Sequence, residues 1–359
     1  MSHDPFECFA LPWPQYRAWF ARHRDELVGR APFYQPAWLE ALAAALHFDL
    51  APIGIERAGD LIAVVPGFLT QRGPFRLFGS PLRGTMTSYL GPIGCLDLRR
   101  PELRRELVEH ANAFARRHWR VSYTEFALRG PAASTVPDAG WEAGRPGSYQ
   151  IDLSPGEDAL WTALRPRARR QIRKSQQLGL EVSPFAGDAG DYYAMVLETF
   201  GRREATVWHP ERFFRALFER LIPAGIVRVW SVRYKGETIS AGIFVQDDRE
   251  MHYVSGASRT AYRMLPTSYL MHWHAIRTAA DAGAAIYDFG GTGTPSICEF
   301  KESFSPKRVE YWHLRWASAP TRLARRVFLA AERRVRPLRT LRRQVRARRA
   351  GRGTPRAPA

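Results

Sequence analysis

The chain repeats itself, and the repeat restricts the folds open to it more than any single motif does. Phe33-Tyr34-Gln35-Pro36 and Val207-Trp208-His209-Pro210 each open a helix, with the second proline 174 positions after the first and near N1 in both. Trp38, Leu39, Leu42 and Leu46 carry the apolar face of the first helix, and Phe213, Phe214, Leu217 and Leu221 that of the second. An alternating run follows in each copy: Ile53, Ile55, Gly59-Asp60, Ile62 and Val64, then Trp230, Val232, Gly236-Glu237, Ile239 and Ala241. Both read as hairpins whose turns put a glycine before an acid, and the glycines lie 177 positions apart. A third block pairs the helix over 101–118, with Leu103, Leu107, Ala111 and Phe114 on one face, and the strand over 120–128 with a helix over 267–282 and the strand Ile286-Tyr287-Asp288-Phe289. Generic α/β templates can coincide, but three blocks in one order at nearly constant spacing argue for duplication. Each unit then reads helix, antiparallel hairpin, helix, strand. That is an α+β arrangement, a mixed, mostly antiparallel sheet covered by helices, and two such units side by side create a cleft.

A chain of 359 residues with 45% hydrophobic content is long enough for two domains and a substantial core. Its net charge of +18 suggests a nucleic-acid partner, yet the charge is unevenly spread. Residues 322–359 hold fourteen arginines and one acid, Glu332, a net of +13, which leaves +5 for everything before them. The expected division is thus 1–153, 154–319 and an Arg-rich tail over 320–359. In that tail Leu323, Val327, Ala331, Val335, Leu338, Leu341 and Val345 recur every three or four residues, interrupted by Pro337. Such a basic amphipathic segment suits tRNA or an anionic membrane surface, or stays disordered until it meets either. Cys8, Cys95 and Cys298 are too few and too widely spaced for a disulfide framework or a CxxC metal pair, and no metal is expected. The N-terminus lacks the basic start and apolar run of a signal peptide, and no stretch reaches about 18 apolar residues. The expectation is a cytoplasmic protein, with the tail a candidate for contact with the inner membrane face.

The chemistry concentrates at the end of the second copy. Tyr269, Leu270, Trp273, Ile276 and Ala280 give the helix over 267–282 its apolar face, with Thr267 as N-cap after Pro266 and Gly283 as a C′ stop. Then come Ile286-Tyr287-Asp288-Phe289-Gly290-Gly291 and, after a short polar loop, Glu299-Phe300-Lys301-Glu302-Ser303-Phe304. Gly290 and Gly291 let backbone groups approach a ligand, and Lys301 supplies a point charge where a carbonyl becomes an oxyanion. The same residues would equally serve a plain turn beside a surface lysine.

Between the copies, Ser154-Pro155-Gly156-Glu157 reads as a capping box, and Pro166 restarts or kinks the helix that follows. From Arg165 to Lys174 there are six cations, with no acid between Ala159 and Leu180. Arg167, Arg169, Arg170, Arg173 and Lys174 share one face and Ala168, Ile172 and Ser175 the other. This is either a solvated surface helix or one that meets phosphate or RNA.

Taken in order, the basic segment RPRARRQIRKSQQLGLEV, the KGETISAGIF hairpin, IYDFGG and EFKESF resemble the duplicated GNAT-type acyltransferases, in particular the Fem-type peptidoglycan aminoacyltransferases and the BioF2-like acetyltransferase domains. The match is best over residues 160–316; the first half follows by position and duplication. The resemblance implies two tandem GNAT-like units and transfer of an acyl or aminoacyl group to a primary amine, with a cell-envelope precursor as acceptor. It places the family's loop phenylalanine and lysine on Phe300 and Lys301, and its phosphate-associated basic segment on Arg169, Arg170, Arg173 and Lys174. No bound cofactor is implied; the donor is an acyl-CoA or an aminoacyl-tRNA. GNAT enzymes that use coenzyme A cradle pyrophosphate on a glycine-containing loop at a helix N-terminus. Here the corresponding residues 258–266 contain no glycine, and Arg259 and Arg263 are the residues left to hold phosphate.

An amine attacking an ester or thioester needs a cation at the carbonyl oxygen and a route for its proton. Lys301 suits the first task. Asp288, Glu299 and Glu302 are candidates for the second or for orienting Lys301, and a substrate carboxylate or phosphate would serve as well. His272 and His274, two apart on a helix, do not form a metal pair. Two alternatives stand beside the first reading: an acetyl-CoA-dependent N-acetyltransferase acting on a small molecule or sugar, and a non-catalytic RNA- or membrane-binding adaptor.

Overall fold

A computed structural model describes residues 6–129, 140–203, 205–328 and 330. The first half opens with β1 (Glu7–Ala10), α1 (Trp13–His23) and α2 (Pro36–Leu46). It continues through β2 (Asp49–Leu50), β3 (Ile53–Arg57), β4 (Asp60–Val65), β5 (Phe68–Arg72), β6 (Phe75–Ser80) and β7 (Ile93–Gly94). The helix α3 (Pro101–His118) then leads to β8 (Tyr123–Arg129), β9 (Trp141–Gly144) and β10 (Gly147–Asp152). The second half runs α4 (Glu157–Ala163), α5 (Pro166–Gln177), β11 (Glu181–Pro184), α6 (Ala189–Arg202) and α7 (Glu211–Ala216). After these come β12 (Val227–Tyr234), β13 (Glu237–Gln246), β14 (Glu250–Ser258), α8 (Thr267–Asp281), β15 (Ile286–Gly291), α9 (Pro295–Glu302) and β16 (Lys307–Ala317).

Both hairpins expected from the repeat are present, and they turn alike. Ala58 and Gly59 have φ of 54° and 85°, Lys235 and Gly236 of 50° and 84°. Positive φ at both central residues makes a turn whose twist matches that of the strands, and glycine at the second position lowers its cost. Each half also contains one parallel pair joined by a crossover helix: β6 with β8 through α3, and β14 with β15 through α8. The β14–β15 ladder ends at His252 opposite Asp288, which leaves residues 289–291 beyond it.

The halves are joined by an exchange of their last strands. The large sheet has the order β11-β12-β13-β14-β15-β10-β16-β8-β6-β5-β2. β10, which closes the first half in sequence, pairs antiparallel with β15 of the second, and β16 of the second half lies between β10 and β8. Met1–Trp316 accordingly forms one compact unit, and Ala317–Ala359 is a second. In the second, residues 319–328 are helical, with Leu323 and Val327 exposed. Ala331, Glu332, Val335, Pro337, Leu338, Leu341 and Val345 lie outside the described residues, as does most of the expected Arg-rich tail. No described helix is long and apolar enough to cross a membrane.

Three local expectations are corrected. Lys301 is not on a loop: Pro295 starts a helix at N1, and residues 295–302 form α9. The capping box at Ser154 does not form; Gly156, at φ 83°, is the N-cap of α4, and no side chain caps it. Pro266, not Thr267, is the N-cap of α8. The α5 face predicted to be apolar does face inward, with Ala168, Ile172 and Ser175 fully buried.

Candidate active site

The two glycines end β15 in a bend that glycine makes accessible. Gly290 has φ 74°, and a Cβ there would lie 3.1 Å from the carbonyl oxygen of Tyr253. Asp288 holds the bend from inside. Its fully buried carboxylate accepts from the Gly290 N–H at 2.7 Å, Ser148 Oγ at 2.5 Å, Gln150 Nε2 at 2.7 Å and the Tyr89 hydroxyl at 3.0 Å. Three of these donors come from the first half, so the exchange of β10 is what fixes the end of β15. Four donors account for most of a carboxylate's accepting capacity, which makes Asp288 an anchor for the backbone.

α9 folds back so that Lys301 lies under the bend. Its ammonium donates to the carbonyl oxygens of Gly290 at 3.1 Å and Gly291 at 2.7 Å, and the residue is only 6% exposed. Burial pushes Lys301 down to about 8, against the Asp288 carboxylate, which favours the charged form. An ammonium has three N–H groups, and these two bonds leave one for a ligand. Phe300 packs its ring 4.8 Å from that of Tyr269 and 5.4 Å from that of His272, a wall behind Lys301. His272 is buried and held down to about 3 by burial and by the Lys301 charge, so it is neutral.

A cavity of about 380 Å³ opens at Lys301, Gly290 and Gly291, and its opposite wall is first-half chain: residues 81–88, Glu125 and Ala127, with Tyr311 and His313 of β16. Glu125 accepts from the Tyr123 hydroxyl at 2.7 Å and from His313 Nε2. Burial opposes its ionisation, but the hydrogen bond and charge of His313, with Tyr123 and Arg315, hold its carboxyl below the usual range. Behind Asp288, Arg129 of β8 grips Glu250 of β14 through two bonds of 2.5 and 2.7 Å, and Glu250 accepts from His252 at 2.6 Å. Burial of Glu250 works against its charge, yet Arg129 and His252 outweigh it and hold the carboxyl down to about 2. His252 Nδ1 lies 3.8 Å from Asp288, so a line of buried titratable side chains runs between the halves.

Of the residues singled out in the sequence, Asp288, Gly290, Gly291, Phe300 and Lys301 come together here. The cations of α5 do not line this cavity. Arg169 donates to the carbonyl oxygens of Thr162 and Leu164 at 2.7 Å each, while Arg170, Arg173 and Lys174 are exposed, with Arg173 5.6 Å over the Trp161 ring. Arg165 and Arg167 reach Glu302 and Glu299 of α9 at 3.9 and 3.8 Å, which occupies both acids. Arg259 is paired with Glu198 at 3.0 Å, and the Thr260 N–H is also spent on Glu198; Arg263 is exposed. Tyr89, Glu125, Ser148, Gln150 and His313 were not expected. One signal was present: Glu125-Phe126 occupies the place in β8 that Asp288-Phe289 occupies in β15.

Residues 162–302 match the family model described as an acetyltransferase (GNAT) domain. No curated protein matches the chain significantly in sequence. Among solved structures the chain is similar to FemX, with 14% identity and a TM-score of 0.64 over 85% of this chain and 96% of that one. It is also similar to a tandem GNAT protein from the clavulanic acid biosynthesis pathway, at 12% identity and a TM-score of 0.51 over 86% and 98% of the two chains. L-PGS from Bacillus licheniformis gives 12% identity and a TM-score of 0.50 over 87% and 94%. At these identities the likeness is one of fold.

Proposed function

We propose, from the premise that residues 162–302 are a GNAT-type acyltransferase domain within a tandem GNAT fold, that the chain is an N-acyltransferase which joins an acyl or aminoacyl group to a primary amine of a cell-envelope precursor. The observation that carries this reading is Lys301, a buried ammonium fixed by two carbonyls with one N–H left over, at the floor of a cavity walled by both halves. As the amine adds to the donor carbonyl, negative charge collects on the carbonyl oxygen. A fixed cation there lowers the barrier because it needs no reorganisation during the reaction. Asp288 and Phe300 serve by position, the first through the Gly290 bend and the second by packing.

An aminoacyl-tRNA donor is favoured over acetyl-CoA by the site's surroundings. The segment where a coenzyme A pyrophosphate would lie has Arg259 paired with Glu198 and its Thr260 amide spent, which leaves Arg263, whereas Arg170, Arg173 and Lys174 all remain on the surface of α5 with no ion pair among the described residues. Acetyl transfer from acetyl-CoA to a small molecule or sugar is the second reading, motivated by the acetyltransferase description of the matched domain. The purified protein should be incubated with acetyl-CoA or with mixed aminoacyl-tRNA and a panel of amine acceptors that includes nucleotide-linked cell-wall precursors, with products read by mass spectrometry. A mass gain of one aminoacyl residue on a precursor supports the first reading; a gain of one acetyl group supports the second. Absence of any Lys301-dependent amide would overturn both and favour a binding role.

A further inference from the structure

Among the described residues lining the Lys301 cavity, Glu125 is the one acid, and it faces Lys301's wall from the other half of the chain. We propose that Glu125 is the acceptor-side residue of this site: its carboxylate docks the ammonium form of the acceptor's primary amine, so that the acceptor is selected for positive charge at the reacting nitrogen. This rests on the acyl-transfer reading and adds to it the division of the work between the halves.

The placement follows from strand alternation. Glu125 and Ala127 both line the cavity from β8, and Tyr311 and His313 both line it from β16, so these side chains stand on the inner faces of neighbouring strands. The orientation of the His313 ring follows from its partners. Arg315 lies 3.1 Å from His313 Nδ1, and a guanidinium can only donate, so Nδ1 accepts and the ring proton sits on Nε2, directed at Glu125. Glu125 is left as a carboxylate, 3% exposed, oriented by one imidazole N–H and one phenol, each of its oxygens able to accept once more. A buried carboxylate held by hydrogen bonds retains its negative charge, and a cation entering the cavity relieves the cost of that burial. Before attack the docked ammonium gives one proton to water and regains its lone pair; the nitrogen then becomes cationic again as the C–N bond forms. The same carboxylate stabilises this charge while Lys301 stabilises the oxygen. On collapse, the bond to the leaving group breaks and the nitrogen gives up its proton to water.

The direct test is calorimetric titration of the full chain with n-butylammonium chloride and, at matched ionic strength, with n-butanol. The wild type is expected to bind the ammonium ion, with Glu125→Gln weakening it tenfold or more and leaving butanol unaffected. Glu125→Asp, which keeps the charge one methylene short, should fall between them. Wild-type protein that takes butylammonium no better than butanol overturns the proposal without reference to any variant, as does equal ammonium binding by wild type and folded Glu125→Gln. The kinetic arm uses the donor selected by the product assay above. There, kcat/KM for butylamine relative to hydroxylamine, which is uncharged at neutral pH, should drop tenfold or more in Glu125→Gln, and an unchanged ratio counts against docking. If butylammonium binds through Glu125 but no donor yields an amide, the docking role stands and the acyl-transfer reading falls.

Discussion

The two halves share a plan and differ at one strand end. In the second, β13 runs unbroken from Glu237 to Gln246; in the first, Pro66 and Gly67 divide the same path into β4 and β5, and the sheet splits there. The strand after the crossover helix reads Asp288-Phe289-Gly290-Gly291 in one half and Glu125-Phe126-Ala127-Leu128 in the other. Both acids sit third in their strand and both bond to an exchanged neighbour, Asp288 to Ser148 and Gln150 on β10, Glu125 to His313 on β16. Only in the second half do glycines follow, and there Asp288 becomes a backbone anchor and a lysine occupies the space beneath. Where alanine and leucine follow, no such bend forms and the acid remains at the cavity wall. The same position in the repeat thus holds a carboxylate bonded to the backbone in one copy and a carboxylate bonded only to side chains in the other.

The comparison breaks most severely if the halves are uncoupled. Arg129 and Glu250 join β8 to β14 in a setting where both side chains are largely buried. Arg129→Met leaves Glu250 with His252 alone, and a loss of about 3–5 kcal/mol in denaturant unfolding is expected. Arg129→Met combined with Glu250→Met should recover much of it, because no unpaired charge remains. The sign of the pH dependence follows from Glu250. Its carboxyl is held down to about 2 from the ordinary 4.5, so its contribution is present above about 4.5 and is lost as pH falls towards about 2. Acid titration of stability should be flatter in Arg129→Met than in wild type.

Lys301→Ala removes the element that only the second half has. A fall of about 10²–10³ in kcat is expected, the size of losing one oxyanion donor, with a melting temperature close to wild type because the freed carbonyls lie at the cavity and can bond to water. A melting temperature that drops in step with the rate would reassign Lys301 to structure. Gly290→Ala is milder. The positive φ costs about 1–2 kcal/mol, and the new methyl meets the Tyr253 carbonyl at 3.1 Å, so reduced stability and a reduced rate should appear together.

Much of this was legible where local rules suffice. The I′ hairpins, the two crossover helices and the glycine-ended strand follow from periodicity and turn residues. α9 was missed because Gly290 and Gly291 set a loop reading, although Pro295 marked its start. The exchange of β10 and β16 left no local trace: which strand pairs with β15 depends on the meeting of both halves, and alternation in a strand does not name its neighbour. For the same reason Tyr89, Ser148 and Gln150, small or polar residues in unremarkable stretches, could not be assigned to Asp288. Glu125 was within reach through its likeness to Asp288 in the repeat, but its partner His313 was not.

The finest distinction between the halves concerns charge alone. If Asp288 acts on Lys301 through the Gly290 bend and through its field, Asp288→Asn should retain the bend, since the amide oxygen still accepts from the Gly290 N–H, yet lose the field. Burial already brings Lys301 down to about 8, and Asp288 is the first group opposing that fall. Without the carboxylate the ammonium should lose its proton at lower pH. In wild type, turnover is expected to hold below about 8 and decline as pH rises through it, because the charged form carries the oxyanion. In Asp288→Asn the same decline should begin at lower pH. The group's effect on folding has the opposite sense: between about 8 and the ordinary lysine value of 10.5 the unfolded chain binds the extra proton, so the Lys301 contribution to stability rises with pH while the rate falls. Competitive acylation of Lys301 across that range, read by mass spectrometry, measures its titration without any donor. An unchanged midpoint in Asp288→Asn would reduce Asp288 to a backbone anchor, equivalent in kind to any other buried cap.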